Sequence, residues 1–202
     1  NPETAMYDPF LAESWDSSPD DNTFTIHLRD GIKFHDGSEL TGEVVAWNLQ
    51  YMIENGQGSL IGNPVSVEAT DELTVIVKYD AFSVDWGNRV GQVLISSKQA
   101  FDEHGLEYCQ NHPVGTGPFV FQEYIPDNRL TYVKNENYWQ EGLPYLDGWE
   151  IQIIPEWAPT MSAFVNGEID SFVGGDQSTI ETLKAMGYED KNAGAPNSYT
   201  VF

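Results

Sequence analysis

Four histidines, one cysteine and 32 Asp and Glu residues are the side chains from which this 202-residue chain could assemble a reactive centre. His27, His35, His104 and His112 lie far apart, with no i,i+4 pair and no HExxH, so a zinc-type site has no local signature. His35-Asp36-Gly37 has the order of a dyad, but Asp-Gly is first of all a turn signal. Cys109 stands alone, which excludes an internal disulfide and any CxxC or Cys/His zinc spacing, and it reads as a small half-buried side chain. No GxSxG elbow places a serine as nucleophile. With so many acidic residues, carboxylate pairs arise by chance, so a glycosidase gains no support. The expectation is no catalytic residue, no metal and no cofactor.

Gly115-Thr116-Gly117 is the one stretch that resembles a phosphate cradle. Such a cradle needs bare backbone N–H groups and a helix that opens toward the anion. Pro118 follows at once and removes a donor, no lysine sits in the loop, and the next residues read as strands. The phosphate reading fails, and the loop reads instead as a hand-over between two structural units.

A formal net charge of −23, from nine Lys and Arg against 32 Asp and Glu, makes nucleic acid and anionic membranes poor partners, since both are repelled. The acidity reads as a solvated surface that keeps a secreted or high-salt protein soluble. A hydrophobic content of 40% and an aromatic content of 13% are those of a folded protein. No apolar run reaches the ~18 residues of a membrane span. The chain opens Asn1-Pro2-Glu3, without an initiator methionine or signal peptide, and so reads as processed or excised.

The elements that must position any site fall into two rhythms. In residues 1–112, Phe24, Ile26 and Leu28 alternate with Thr25, His27 and Arg29 as in a half-buried strand, with Trp15 on its partner. Thr41 caps a helix to about Glu54 whose Val45, Leu49, Met52 and Ile53 share a face, and Asn55-Gly56 ends it. Leu73–Tyr79 reads as a strand and Gln92–Ser96 as a short one, an α+β half. In residues 113–202 the strands 119–121 and 130–133 flank the turn Pro126-Asp127-Asn128. A strand at 149–154, a helix from Pro159 to Asn166, a strand at 169–173, a helix capped by Asp176 and a strand from Ser198 follow. That order predicts an α/β half with a largely parallel sheet. Among the aromatics, Trp15, Trp47, Trp139 and Trp149 read as core, and Trp86, in the loop Ser83–Arg89, as an exposed ring that could wall a pocket.

The stretch LAESWDSSPDDNTFTIHLRDGIKFHDGSELTGEVVAWNL (11–49) resembles the signature of the family 5 extracellular solute-binding proteins. PVGTGPFVFQEYIPDNRLTYVKNENYW (113–139) resembles a second block of that family, and YLDGWEIQIIPE with AFVNGEIDSFVGG (145–175) a third. One departure is Gly42, where the family often has Ala, a small penalty inside a helix. Another is the run before Leu11, shorter than the family's and without its opening strand. The resemblance implies a type II periplasmic-binding-protein-like fold, present here as one partial lobe: residues 1–112 as the α+β extra subdomain of lobe one, and 113–202 as part of its main subdomain, ending at the hinge strand. It implies a receptor for an ABC importer, periplasmic or a cell-surface lipoprotein, that closes on a small solute and docks on a membrane permease. Oligopeptides or dipeptides are the first expectation for the solute, with nickel chelates or oligosaccharides behind them. The ligand-facing residues it suggests are Ser59, Trp86, Arg89, Gln92 and Tyr199. The rivals from other classes are a glycan-active enzyme or carbohydrate-binding module, and a pure interaction domain.

Overall fold

The computed structural model describes residues 8–174, 177–188 and 200–201. They divide into two compact units: the described residues up to Tyr124 with Leu130–Glu150, and Ile125–Arg129 with the described residues from Ile151 onward. The segment 113–118 therefore lies inside the first unit.

The first unit is built on a four-stranded antiparallel sheet of β1 (Ala12–Ser18), β2 (Thr23–Leu28), β3 (Ser66–Ala69) and β4 (Thr74–Lys78), in the order β1-β2-β4-β3. The period-2 pattern of β2 has its expected result: Phe24, Ile26 and Leu28 are buried, and so are Val75 and Val77 on β4. Across this face lies α1 (Gly42–Glu54), with Val45 and Leu49 turned into the core. Thr41 caps it by accepting the Val44 N–H at 3.4 Å, and Asn55 with left-handed Gly56 stops it, as the sequence predicts.

Gly42 is more than a weak helix former. Its N–H donates to Glu72 O at 2.7 Å. A Cβ here would come 2.8 Å from Asp71 O and 3.2 Å from Thr74 O, so the first turn of α1 is seated on the turn between β3 and β4.

Two helices appear where sequence patterning is weak. The helix α2 (Trp86–Val90) occupies part of the stretch expected to be loop, and α3 (Lys98–Asn111) has polar residues on most of its surface. The short strand expected at Gln92–Ser96 does not form. Its backbone is claimed by a side chain instead: Asn48 Nδ2 donates to Ser96 O at 2.9 Å, and Ser96 N–H donates to Asn48 Oδ1 at 3.0 Å.

The strands β5 (Phe119–Ile125), β6 (Arg129–Lys134) and β7 (Gly148–Gln152) form a three-stranded sheet in that order. Lys134 N–H reaches Asp147 O at 2.8 Å and Ile153 N–H reaches Asn128 O at 2.7 Å. Residue numbers thus fall on one side as they rise on the other, and β6 and β7 run antiparallel. Further on, α4 (Trp157–Val165) and α5 (Gln177–Ala185) accompany β8 (Phe172–Val173) and β9 (Thr200–Val201), which also pair antiparallel. Phe164, Phe172 and Leu183 make the small core of this second unit.

The expected largely parallel sheet is therefore corrected among the described residues. Ile151 lies on β7, Ile169 lies on no strand, and β8 belongs to a different sheet from β7. Right-handed crossovers follow only when successive strands enter one sheet, and here β7 finds its partner backward in sequence, in β6. The expected cap Asp176 and the beginning of the last strand at Ser198 lie outside the described residues.

Candidate functional site

A groove of about 500 Å³ opens on the first unit between the C-terminal half of α1, the 3-10 turn Gly58–Ile61 and the stretch from Arg89 to Ser96. Asn48, Tyr51 and Met52 come from α1, Gln57, Leu60 and Ile61 from the turn, and Arg89, Gln92 and Leu94 from the third wall. Leu60 and Leu94 form an apolar rim, 61% and 91% exposed.

The polar groups are held by one another. Asp85 Oδ2 accepts Arg89 Nε at 2.8 Å, and Oδ1 accepts Asn88 Nδ2 at 3.0 Å. Gln92 Nε2 in turn donates to Asn88 Oδ1 at 2.6 Å. The Asn88 hydrogen bond, with the Arg89 guanidinium beside it, holds the Asp85 carboxyl below the usual carboxylate range. Arg89 Nη1 donates to Ser59 O at 3.2 Å, tying α2 to the 3-10 turn. The Asn48–Ser96 amide clasp fixes the loop that carries Leu94.

Of the residues expected from sequence, Arg89 and Gln92 line this groove, whereas Ser59 does not line it and meets Arg89 only through its backbone carbonyl. Trp86 does not face the groove. It is 2% exposed, stacked on Tyr79 at 4.4 Å and edge-on to Phe82 at 5.1 Å, so the expected exposed ring is a core residue. Helix α2 turns the indole inward, which a loop reading could not foresee. Tyr199 lies outside the described residues. Asn48, Gln57, Leu60 and Leu94 were missed. The signal for Asn48 was its place between Val45 and Leu49 on the inner face of α1, where a polar side chain needs partners.

A second hollow, about 600 Å³ and largely apolar, has Phe10, Trp15, Ile26, Val114, Phe119 and Tyr132 in its wall. Gln92, Val93, Leu94 and Ser96 line both spaces, so one loop separates them. His35 and the Gly115–Gly117 loop lie along the hollow as well. Gly115 N–H donates to His35 Nδ1 at 3.4 Å, so the proton sits on Nε2, which donates to Gly117 O at 3.0 Å. Both ring nitrogens are engaged in holding the loop. Asp36 meanwhile accepts the hydroxyls of Ser38 and Ser97. His35 thus bonds to the Gly115–Gly117 loop and Asp36 to two serines, and the two side chains do not form a dyad with each other.

The groove offers amides, a guanidinium already bonded to a carboxylate, Tyr51, Ser96 and aliphatic side chains. Among the described residues, no group of three or more His, Cys, Asp or Glu could hold a metal ion. No helix among them is long and apolar enough to cross a membrane.

The profile of the bacterial extracellular solute-binding proteins, family 5 (middle), matches residues 7–202. The chain belongs to that family. It is 32% identical over 176 residues to the nickel-binding periplasmic protein of Escherichia coli K12, covering 83% of this chain and 33% of that protein. It is 32% identical over 186 residues to di/tripeptide-binding protein 4 of Pseudomonas aeruginosa, covering 72% of this chain and 32% of that one. The periplasmic binding protein DppA of Helicobacter pylori, solved in complex with the peptide STSA, superposes with a TM-score of 0.76 at 25% identity, over 90% of this chain and 41% of that one. This family 5 chain thus spans about one third of the length of the curated relatives it matches. Its fold is part of a periplasmic-binding-protein α/β architecture.

Proposed function

We propose that this family 5 chain supplies the ligand-facing surface of lobe one in an extracytoplasmic receptor of an ABC importer, with peptides as the solute. Residues 1–112 are its α+β subdomain and residues 113–202 part of the main subdomain. The receptor is periplasmic or a cell-surface lipoprotein, binds without catalysis, and hands its solute to a membrane permease after closing on it. Closure is driven by the solute's greater affinity for the closed state.

The observation that carries this reading is the lining of the groove. Gln57 and Gln92 offer amide groups that match a peptide backbone, and Leu60, Leu94 and Met52 offer apolar contact for side chains. Arg89 keeps one face toward a solute carboxylate while Asp85 offsets its charge. A relative named for di/tripeptide binding, and a solved relative in complex with a peptide, support the same class.

The test is calorimetric titration of the full-length receptor with di- and tripeptides and, in parallel, nickel chelates. Peptide affinity should be micromolar or better, and Leu94→Ser and Arg89→Ala should each weaken it about 5- to 30-fold, as expected for the loss of ~1–2 kcal/mol. Unchanged peptide affinity in both variants would remove this groove from the binding site. Tight binding of the chelates alone would overturn the peptide reading.

A further inference from the structure

The chain has 32 acidic residues and nine Lys and Arg, so even with every cation paired, 23 carboxylates are left over. Several carboxylates are held by neutral donors. Asp36 is held by the Ser38 and Ser97 hydroxyls, Asp71 by the Leu73 N–H at 2.9 Å, and Asp21 by the Thr23 hydroxyl at 2.9 Å. Hydroxyls and backbone amides satisfy the oxygens without cancelling their charge. Arg89–Asp85 and Lys98–Asp102 are both solvent-exposed i,i+4 pairs, a class worth little in water.

The excess is also spread widely. Glu13 on the edge strand β1, Asp20 in the following turn, Asp30, Glu68 on the opposite edge strand β3, Asp80 and Glu107 on α3 are all exposed. Folding brings all of these charges onto a surface far smaller than that of the extended chain, and their mutual repulsion opposes it. Repulsion between exposed charges is the kind that salt screens: the Debye length is about 10 Å at 0.1 M and about 3 Å at 1 M. Opposing this repulsion are the main core cluster of the first unit and a much smaller core, centred on three buried residues, in the second.

We propose that this protein is built for a high-salt medium, and that near-molar salt is required to hold its fold. Ionic strength then acts as a conformational control: the native state loosens on dilution and reforms when salt is restored. At such ionic strength the long-range field of the acidic surface vanishes, and solute selection rests on groups in direct contact.

The test is thermal unfolding of the chain, followed by circular dichroism, in NaCl from about 0.1 to 2 M. The midpoint should rise by about 10 °C or more, most steeply below about 1 M where the Debye length shortens fastest. In a second series below about 0.5 M ionic strength, sodium chloride and sodium sulfate should give the same midpoint at equal ionic strength, since screening depends on that alone. A variant carrying E13Q, D20N, D30N, E68Q, D80N and E107Q should melt higher at low salt and respond to salt less. A midpoint that does not change with NaCl would overturn the proposal. So would a sulfate curve well above the chloride curve, or an undiminished salt slope in the six-fold variant, since both would assign the effect to salt exclusion and not to charge.

Discussion

Tyr79 and Trp86 stack nearly face to face, with ring centroids 4.4 Å apart and planes 12° from parallel. Gly62, at φ +86°, turns the chain over this stack, where a Cβ would come 3.2 Å from the Tyr79 ring. The stack joins the residue that follows β4 to the first residue of α2. Trp86→Ala should therefore destabilise the fold by about 3–5 kcal/mol, the range for emptying a large aromatic site. Urea unfolding checks this. A loss of solute affinity with stability intact would instead make the indole a ligand contact.

Tyr79 adds a pH dependence. It is 3% exposed, its hydroxyl donates to Ile61 O at 2.9 Å, and burial pushes its pKa up to about 12. The folded value lies above the unfolded value of about 10. The unfolded chain therefore loses this proton first as pH rises. The stabilising contribution is complete below about pH 10 and is lost as pH rises toward 12, a decline of about 2–3 kcal/mol by linkage. The difference in unfolding free energy between the parent and Tyr79→Phe, measured at pH 9 and near pH 12, should shrink by that amount.

At acid pH the corresponding group is Asp36. Burial opposes its ionisation, but hydrogen bonds from Ser38 and Ser97 outweigh that and hold its pKa below the ordinary carboxylate value. Its contribution is present above about pH 4 and is lost as pH falls through the lower folded value. Ser97, 2% exposed, donates to Asp36 and accepts the Ala100 N–H at 3.1 Å as the cap of α3. Ser97→Ala should cost about 1–2 kcal/mol at neutral pH. At pH 3 the penalty should be smaller, because there the charge-assisted bond has weakened in the parent too.

Gly42 gives an opposite expectation from its family resemblance. Alanine at the start of a helix is ordinarily neutral or better than glycine, but the Asp71 carbonyl lies 2.8 Å from the position of the new Cβ. Moving α1 off the β3–β4 turn strains a buried contact, so Gly42→Ala should destabilise by about 1–3 kcal/mol. A melting temperature equal to or above the parent's would show that the turn gives way easily.

The limits of sequence reading are clearest in the two tryptophans it reversed. Trp86, expected exposed, is buried, and Trp149, expected in the core, is 45% exposed and stacked on Tyr132 at 5.1 Å. Burial of an aromatic residue depends on what covers it, and neither indole's neighbours lie near it in sequence, apart from Phe82. The groove was partly legible for a related reason. Arg89 and Gln92 are polar residues in a short stretch and stand out, whereas Leu60 and Leu94 look like any other core leucine until the fold leaves them outside.

What the sequence determined by itself was local or chemical. Thr41, the spacing of Val45 and Leu49, and Asn55-Gly56 delimit α1 because capping and helical period act over a few residues. Alternation defines β2, because side chains on a strand point to opposite faces in turn. The ordered blocks from Leu11 to Gly175 led to the family. Tertiary structure alone decided the strand partners, the clasp of Asn48 on Ser96, the inward turn of Trp86 and the rim made by Leu60 and Leu94. Each of these is a choice among distant partners, and such choices are made by packing and by the need to satisfy buried polar groups, neither of which is encoded in a short window of sequence.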